Sequence, residues 1–164
     1  MESNSNENKS ANTSGPTEIQ NWDDTPLIRD KILRGIFANG FEQPSPIQKK
    51  GIVPMIQTDK NGKRRDIIAQ AQSGTGKTGC FSVGVLNIVN PEEQITQGLI
   101  LAPTHELAGQ IRDVITALGR FDNMVVQLLV GGTSVDGDRE KLDNNPPHIV
   151  CCSGRSRPHK MTLL

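Results

Sequence analysis

Apolar residues in this chain recur at two spacings. Ile28, Ile32 and Ile36 repeat every four residues, with Leu33 and Phe37 alongside, so Pro26 to Asn39 predicts a helix that Gly40 would stop. In GFEQPSPIQKKGIVPMIQ, Pro44 and Pro46 open a short helix that Pro54 breaks or kinks. Lys77 to Val89 is mostly apolar and reads as helix despite Gly79 and Gly84, with Pro91 just past its end. Leu107, Ile111, Val114 and Leu118 make one helical face, which Gly119 ends. Four short apolar runs have strand length: Asp66 to Gln70, Leu99 to Ala102, Met124 to Val130 and His148 to Cys152. Asp138 to Asp143 reads as a short polar helix, and TDKNGKRR, Thr58 to Arg65, as an exposed loop around Asn-Gly. Strands alternating with helices of this length predict an α/β architecture with a parallel sheet.

Composition narrows this. The 164 residues allow one ordinary domain, and the 34% hydrophobic content is low. Part of the deficit lies in residues 1–21, MESNSNENKSANTSGPTEIQN, which read as a disordered polar tail without the pattern of a secretory signal. No run approaches the roughly 18 apolar residues that span a bilayer, so no membrane association is expected. Lys+Arg and Asp+Glu both total 18, a balance that counts against a nucleic-acid binder. Cys80, Cys151 and Cys152 form no metal spacing and read as small buried hydrophobes in a reducing compartment.

The chemistry concentrates in DIIAQAQSGTGKTGCF. Ala71 to Thr78 follows the phosphate-loop pattern G-x-x-x-x-G-K-S/T, with Ala71 in the first position. Glycines such as Gly74 and Gly76 let backbone N–H groups approach phosphate oxygens, and the next helix turns its free N–H groups toward them. Ser73 and Thr75 belong to the same loop. Lys77 would reach the β- and γ-phosphates, and the Thr78 hydroxyl would ligate magnesium.

Several motifs in order make the chain resemble the DEAD-box ATP-dependent RNA helicases, and within them the initiation factor 4A type. AQSGTGKT resembles their motif I, GFEQPSPIQ their Q motif, APTHELAGQI their motif Ia, GGT at Gly131 to Thr133 their GG element, and HIVCCSGR their motif Ib. The resemblance runs from Trp22 to about Arg155. It implies part of a RecA-like domain over 22–155, with ATP and Mg2+ as cofactors and single-stranded RNA as a partner. It further implies a cytoplasmic, monomeric protein that meets translation-initiation scaffold proteins. By the resemblance, Gln48 would read the adenine edge and Phe41 would stack on its ring, as would Trp22, although ordinary core packing stands open for both aromatics. Pro103, Thr104, His105, Gly131, Gly132, Thr133, Gly154 and Arg155 match positions that hold RNA phosphates. Hydroxyls, helix N-termini and backbone amides do this with little net charge.

Departures matter equally. His105 stands where Arg is usual, and Cys152 and Ser153 replace the Thr and Pro of motif Ib. No apolar strand ending in Asp-Glu follows Thr78. Asp136, Asp138, Glu140 and Asp143 lie on a polar segment, and residues 156–164 no longer match. The reading is therefore a partial RecA-like sheet that stops before the acidic DEAD strand. That strand would lie beside the phosphate-loop strand, so its loss is expected to expose apolar surface and unpaired backbone. By family the protein is an enzyme, an ATP hydrolase and helicase; alone, this chain is expected to be inactive. The alternative is a non-catalytic fragment that holds nucleotide, RNA or a partner and competes with a full-length helicase. A small nucleotide kinase or GTPase is the third class, and the Q motif argues against it.

Overall fold

The computed structural model describes residues 18–153. Helix α1 (Asp30–Ala38) begins four residues after Pro26, because Pro26 to Arg29 form a turn that delivers Ile28 into the core. Ile32 and Ile36 are fully buried, as their spacing requires, whereas Phe37 is 51% exposed. The chain leaves α1 through Gly40, whose φ of +76° favours glycine. Helix α2 (Pro46–Ile56) carries Pro46 in its first turn and runs through Pro54 for two more residues.

Helix α3 (Lys77–Ile88) contains Gly79 and Gly84 because α2 comes close to it. A Cβ on Gly84 would stand 1.9 Å from the Met55 sulfur. Gly35 of α1 likewise faces the backbone of Leu118, its would-be Cβ only 1.8 Å from that carbonyl oxygen. Helix α4 (His105–Leu118) buries Ala108, Ile111, Ile115 and Leu118, while α5 (Val135–Asn144) buries nothing.

Strands β1 (Gly98–Ala102), β2 (Val126–Leu129) and β3 (Ile149–Ser153) form a parallel sheet in the order β1-β3-β2. Gly98 and Val126 both pair with Ile149, and Ile100 and Leu128 with Cys151. These residues share one face, which α4 covers. On the opposite face Leu99 and Leu101 are 43% and 68% exposed. The strands start from one junction. His148 Nδ1 accepts the Val125 N–H at 3.0 Å, and its Nε2 lies 3.1 Å from the Pro91 carbonyl, so Nε2 carries the ring hydrogen. The His148 backbone also bonds Val125, Gln97 and Gly98.

Two sequence expectations change. Asp66 to Gln70 forms no strand: it pairs with no other strand among the described residues, and Ile68 is fully exposed. An extended segment becomes a strand only when a neighbouring backbone satisfies its N–H and C=O groups. The polar tail, read as 1–21, also ends earlier. Ile19 is 1% exposed and its N–H bonds the Lys49 carbonyl at 3.0 Å. Asp24 fastens the next turn by accepting the Gln20 and Asn21 N–H groups at 2.7 and 2.6 Å. Residues 1–17 and 154–164 lie outside the described residues, and with them Gly154, Arg155 and the segment 156–164.

A partly buried ion pair joins the layers. Arg29 reaches Asp122, which is 2% exposed, at 2.7 Å, and also donates to the carbonyls of Leu86 and Val89 at the end of α3.

Candidate functional site

The loop ahead of α3 is shaped by Gly74 (φ +78°) and Gly76 (φ +94°), the latter capping the helix in the left-handed region. Gly76 is doubly constrained, since a Cβ there would lie 2.8 Å from both Gln48 Nε2 and Ser45 Oγ. The loop also holds its own cation. Lys77 Nζ donates to the Ala71 and Gln72 carbonyls at 2.6 and 2.5 Å, and Thr75 Oγ1 donates to Gln72 at 2.7 Å. Ser73 is exposed, and Thr78 is half-buried in the first turn of α3.

Gln48 stands behind this loop, 2% exposed. Its Oε1 accepts the Ser45 N–H at 2.7 Å and its Nε2 donates to the Gly76 carbonyl at 3.2 Å. One donor and one acceptor are thus used locally, and the amide retains one further hydrogen and lone pairs. Ser45, which sequence reasoning passed over, has its Oγ buried there without a partner. The signal was Ser before Pro46 with Gln three residues on, the pattern of a capping box. Phe41 is half-buried, its ring edge 3.5 Å from where a Cβ on Gly79 would stand.

Of the two readings of Trp22, base stacking and core packing, the structure shows the second. Trp22 is 1% exposed and part of the main core, with its indole nitrogen unpartnered, so the ring has no free face for a base. The ordered segment beginning at Glu18 carries it inward.

The motif residues after β1 and β2 gather at one rim, because parallel strands end on the same side of the sheet. Thr104 caps α4, its Oγ1 accepting the Leu107 N–H at 3.2 Å; Pro103, Thr104 and His105 are exposed. The GG element meets His105, whose Cε1 lies 3.4 Å from a would-be Cβ on Gly131. Gly132 has φ +98°. Thr133 Oγ1 lies 2.6 Å from Asp138 Oδ2 and 2.9 Å from the Val130 carbonyl. Asp138 is the second residue the sequence left unassigned; its link to Thr133 depends on how α5 starts. The end of β3 lies between the other two, so Ser153 completes the rim. The chain leaving α3 meets the strand starts, where Pro91 bonds His148, at the end of the sheet away from the rim.

The residues fit a polyphosphate: two positive-φ glycines, a helix N-terminus, a lysine and a threonine hydroxyl. For a metal the protein offers less. Among the described residues no group of three or more His, Cys, Asp or Glu could hold an ion, and no strand ends in an acidic pair. Magnesium often takes few protein ligands alongside substrate phosphates, so Thr78 remains compatible with it. The cysteines take no part: burial pushes the Cys80 and Cys151 thiols up to about 11 and raises Cys152 also. Among the described residues no helix is long and apolar enough to cross a membrane.

A family model described as DEAD/DEAH box helicase matches residues 45–160, which extends past Arg155, where the motifs stop. The ATP-dependent RNA helicase eIF4A of Chaetomium globosum is 47% identical over 137 residues, covering 84% of this chain and 33% of that protein. That of Neurospora crassa is 48% identical over 128 residues, covering 78% and 31%. Among solved structures, a DEAD box protein from the hyperthermophile Methanococcus jannaschii aligns with a TM-score of 0.71 at 32% identity, covering 83% of this chain and 35% of that one. S. cerevisiae Dbp5 bound to RNA and ADP BeF3 aligns with a TM-score of 0.69 at 34% identity, covering 82% and 32%. The chain therefore spans about a third of the length of these relatives. With that family model matching residues 45–160, over the glutamine, the glycine-shaped loop and the rim, the chain belongs to the DEAD/DEAH box helicase family.

Proposed function

We propose that this chain is the first part of the N-terminal RecA-like domain of an ATP-dependent RNA helicase of the initiation factor 4A type. It binds adenine nucleotide at the loop and single-stranded RNA along the rim. The observation that carries this reading is Gln48 bonded to Gly76, which joins a base-reading amide to the phosphate loop in one unit. To engage a phosphate, Lys77 exchanges its bonds to Ala71 and Gln72 for phosphate oxygens, while the loop N–H groups bind the rest. Magnesium, when bound with the nucleotide, neutralises phosphate charge, and Thr78 would supply the protein hydroxyl to it. Thr104 and the Gly131–Thr133 backbone would take RNA phosphates. We include in the proposal a cytoplasmic role in translation initiation, with scaffold proteins as partners.

A second reading is a non-catalytic fragment that competes with a complete helicase. The lack of an acidic pair at any strand end among the described residues favours it. Two measurements decide. ATP but not GTP should raise the melting temperature, because a ligand that binds only the folded state stabilises it, and Lys77→Ala should abolish the shift. Equal stabilisation by GTP overturns the adenine assignment. RNA-stimulated, multiple-turnover ATP hydrolysis by this chain would overturn the fragment reading.

A further inference from the structure

A compact cationic surface lies away from the motif residues. Arg34 on α1 and Arg120 in the turn after α4 both stack on Phe121, their guanidinium carbons 4.7 and 5.1 Å from the ring centre. Both arginines are exposed. Among the described residues, neither has an acidic partner within salt-bridge distance, and neither donates a hydrogen bond to another residue. Lys31, nearly one turn before Arg34, reaches Asp122 only at 3.5 Å, and that carboxylate is already paired with Arg29. The nearest acid along α1 is Asp30, one turn before Arg34, and among the described residues it lies more than 4.0 Å from any cation. In a chain of 18 cationic and 18 anionic residues, this is a local excess of positive charge.

An apolar neighbour accompanies it. Phe37 follows Arg34 by three residues on α1, on the same side of the helix, and is 51% exposed. Stacking on Phe121 holds the two guanidinium groups in place, so they lose little freedom on meeting a ligand. Each presents a planar fork of donors suited to a carboxylate. The cluster does not extend into a track for a polynucleotide: the next arginine on α4 toward the rim, Arg112, has its Nε 2.7 Å from Asp113.

The surface is also remote from the candidate site. Thr104 caps α4 at the rim, and Arg120 follows the other end of this 14-residue helix, about 21 Å away. We propose that Arg34, Arg120, Lys31 and Phe37 dock an acidic protein segment, with carboxylates on the arginines and an apolar side chain against Phe37. A partner held there would leave the loop and the rim accessible.

The test uses the full chain and a fluorescein-labelled peptide, Glu-Glu-Leu-Phe-Glu-Glu, followed by anisotropy. Binding should weaken with added salt and fail when lysines replace the glutamates. The double variant R34A/R120A should lose at least about tenfold in affinity, and R34K/R120K should keep most of it. Circular dichroism and melting of each variant separate lost docking from lost folding. Phe37→Ala should weaken the peptide but not a variant with Ser in place of Leu and Phe. Wild-type protein that does not distinguish the Glu from the Lys peptide overturns the proposal, as does a folded R34A/R120A that binds equally well. If the double variant loses a single-stranded RNA 12-mer more than the peptide, the surface serves nucleic acid and the proposal is again overturned.

Discussion

The side-chain amide of Gln48 spans from the Ser45 N–H to the Gly76 carbonyl, so the start of α2 and the cap of α3 share one residue. Gln48→Ala removes both bonds and leaves the Ser45 N–H without its acceptor, while the Gly76 carbonyl keeps the Cys80 N–H at 2.9 Å. We expect a loss of about 1–3 kcal/mol in urea unfolding. On the proposed function, the variant should also lose its preference for ATP over GTP in thermal shift. A variant of unchanged stability would show that the span carries no load.

Gly84 is a steric prediction. Its Cβ would meet the Met55 sulfur at 1.9 Å, but that sulfur belongs to a flexible side chain. Gly84→Ala should therefore cost roughly 1–3 kcal/mol through overpacking, and adding Met55→Ala should recover part of it. Strict additivity of the two in a double-mutant cycle would refute the contact.

Asp122 holds Arg29, and Arg29 in turn holds the last carbonyls of α3. Asp122→Ala strands a partly buried guanidinium and should destabilise the fold by about 2–4 kcal/mol, which chemical denaturation would measure. Arg29→Met, which removes the charge as well, should cost less in the Asp122→Ala background than alone.

Titration tests the termini of this fold. Asp24 accepts two backbone N–H groups, which hold its carboxyl below the ordinary 3.8. Its contribution is present above that value and is lost as pH falls through the lowered one, so the Glu18–Asp24 turn should loosen only in acid. The cysteines run the other way. With Cys80 and Cys151 pushed up to about 11, the stability they contribute is complete below pH 9 and is lost as pH rises toward 11. At pH 8 both should react with a thiol reagent far more slowly than in the urea-unfolded chain.

Thr133 gives its hydroxyl hydrogen to Asp138 or to Val130, and the Asp138 carboxylate would repel a phosphate brought to that hydroxyl. If the rim binds RNA as proposed, Asp138→Asn should raise affinity for single-stranded RNA several-fold, with a steeper salt dependence, the opposite of the change a lost cation gives. Unchanged affinity would place the RNA elsewhere.

Helices were legible because their apolar spacing is a local property. Ile28, Ile32 and Ile36 became core, and Leu107 to Leu118 became the face that covers the sheet. Strand β3 was legible for the related reason that a buried parallel strand is apolar throughout, and β1 has the same apolar run although Leu99 and Leu101 stay exposed. Asp66 to Gln70 failed because its pattern speaks only of the segment, whereas a strand needs a neighbour. Ile19 failed because the polar composition around it hid a side chain with a place in the core, whereas for Trp22 the core reading was one of the two left open. The phosphate loop followed from glycine spacing. The closure of Lys77 onto its own carbonyls did not, since it depends on where the ammonium finds acceptors.

His148, just before β3, ties the starts of the strands: its carbonyl accepts the Gly98 N–H of β1, its backbone N–H and Nδ1 bond Val125 ahead of β2, and its Nε2 reaches Pro91 beyond α3. The motif residues lie at the far ends, beyond the last ladder pairs. The sheet is thus tied like a sheaf at its base, and splaying is expected to grow toward the loops proposed to meet ligand. Amide protons near Val125, Gln97 and Ile149 should be the last to exchange with deuterium, and those of Leu129 and Ala102 among the first.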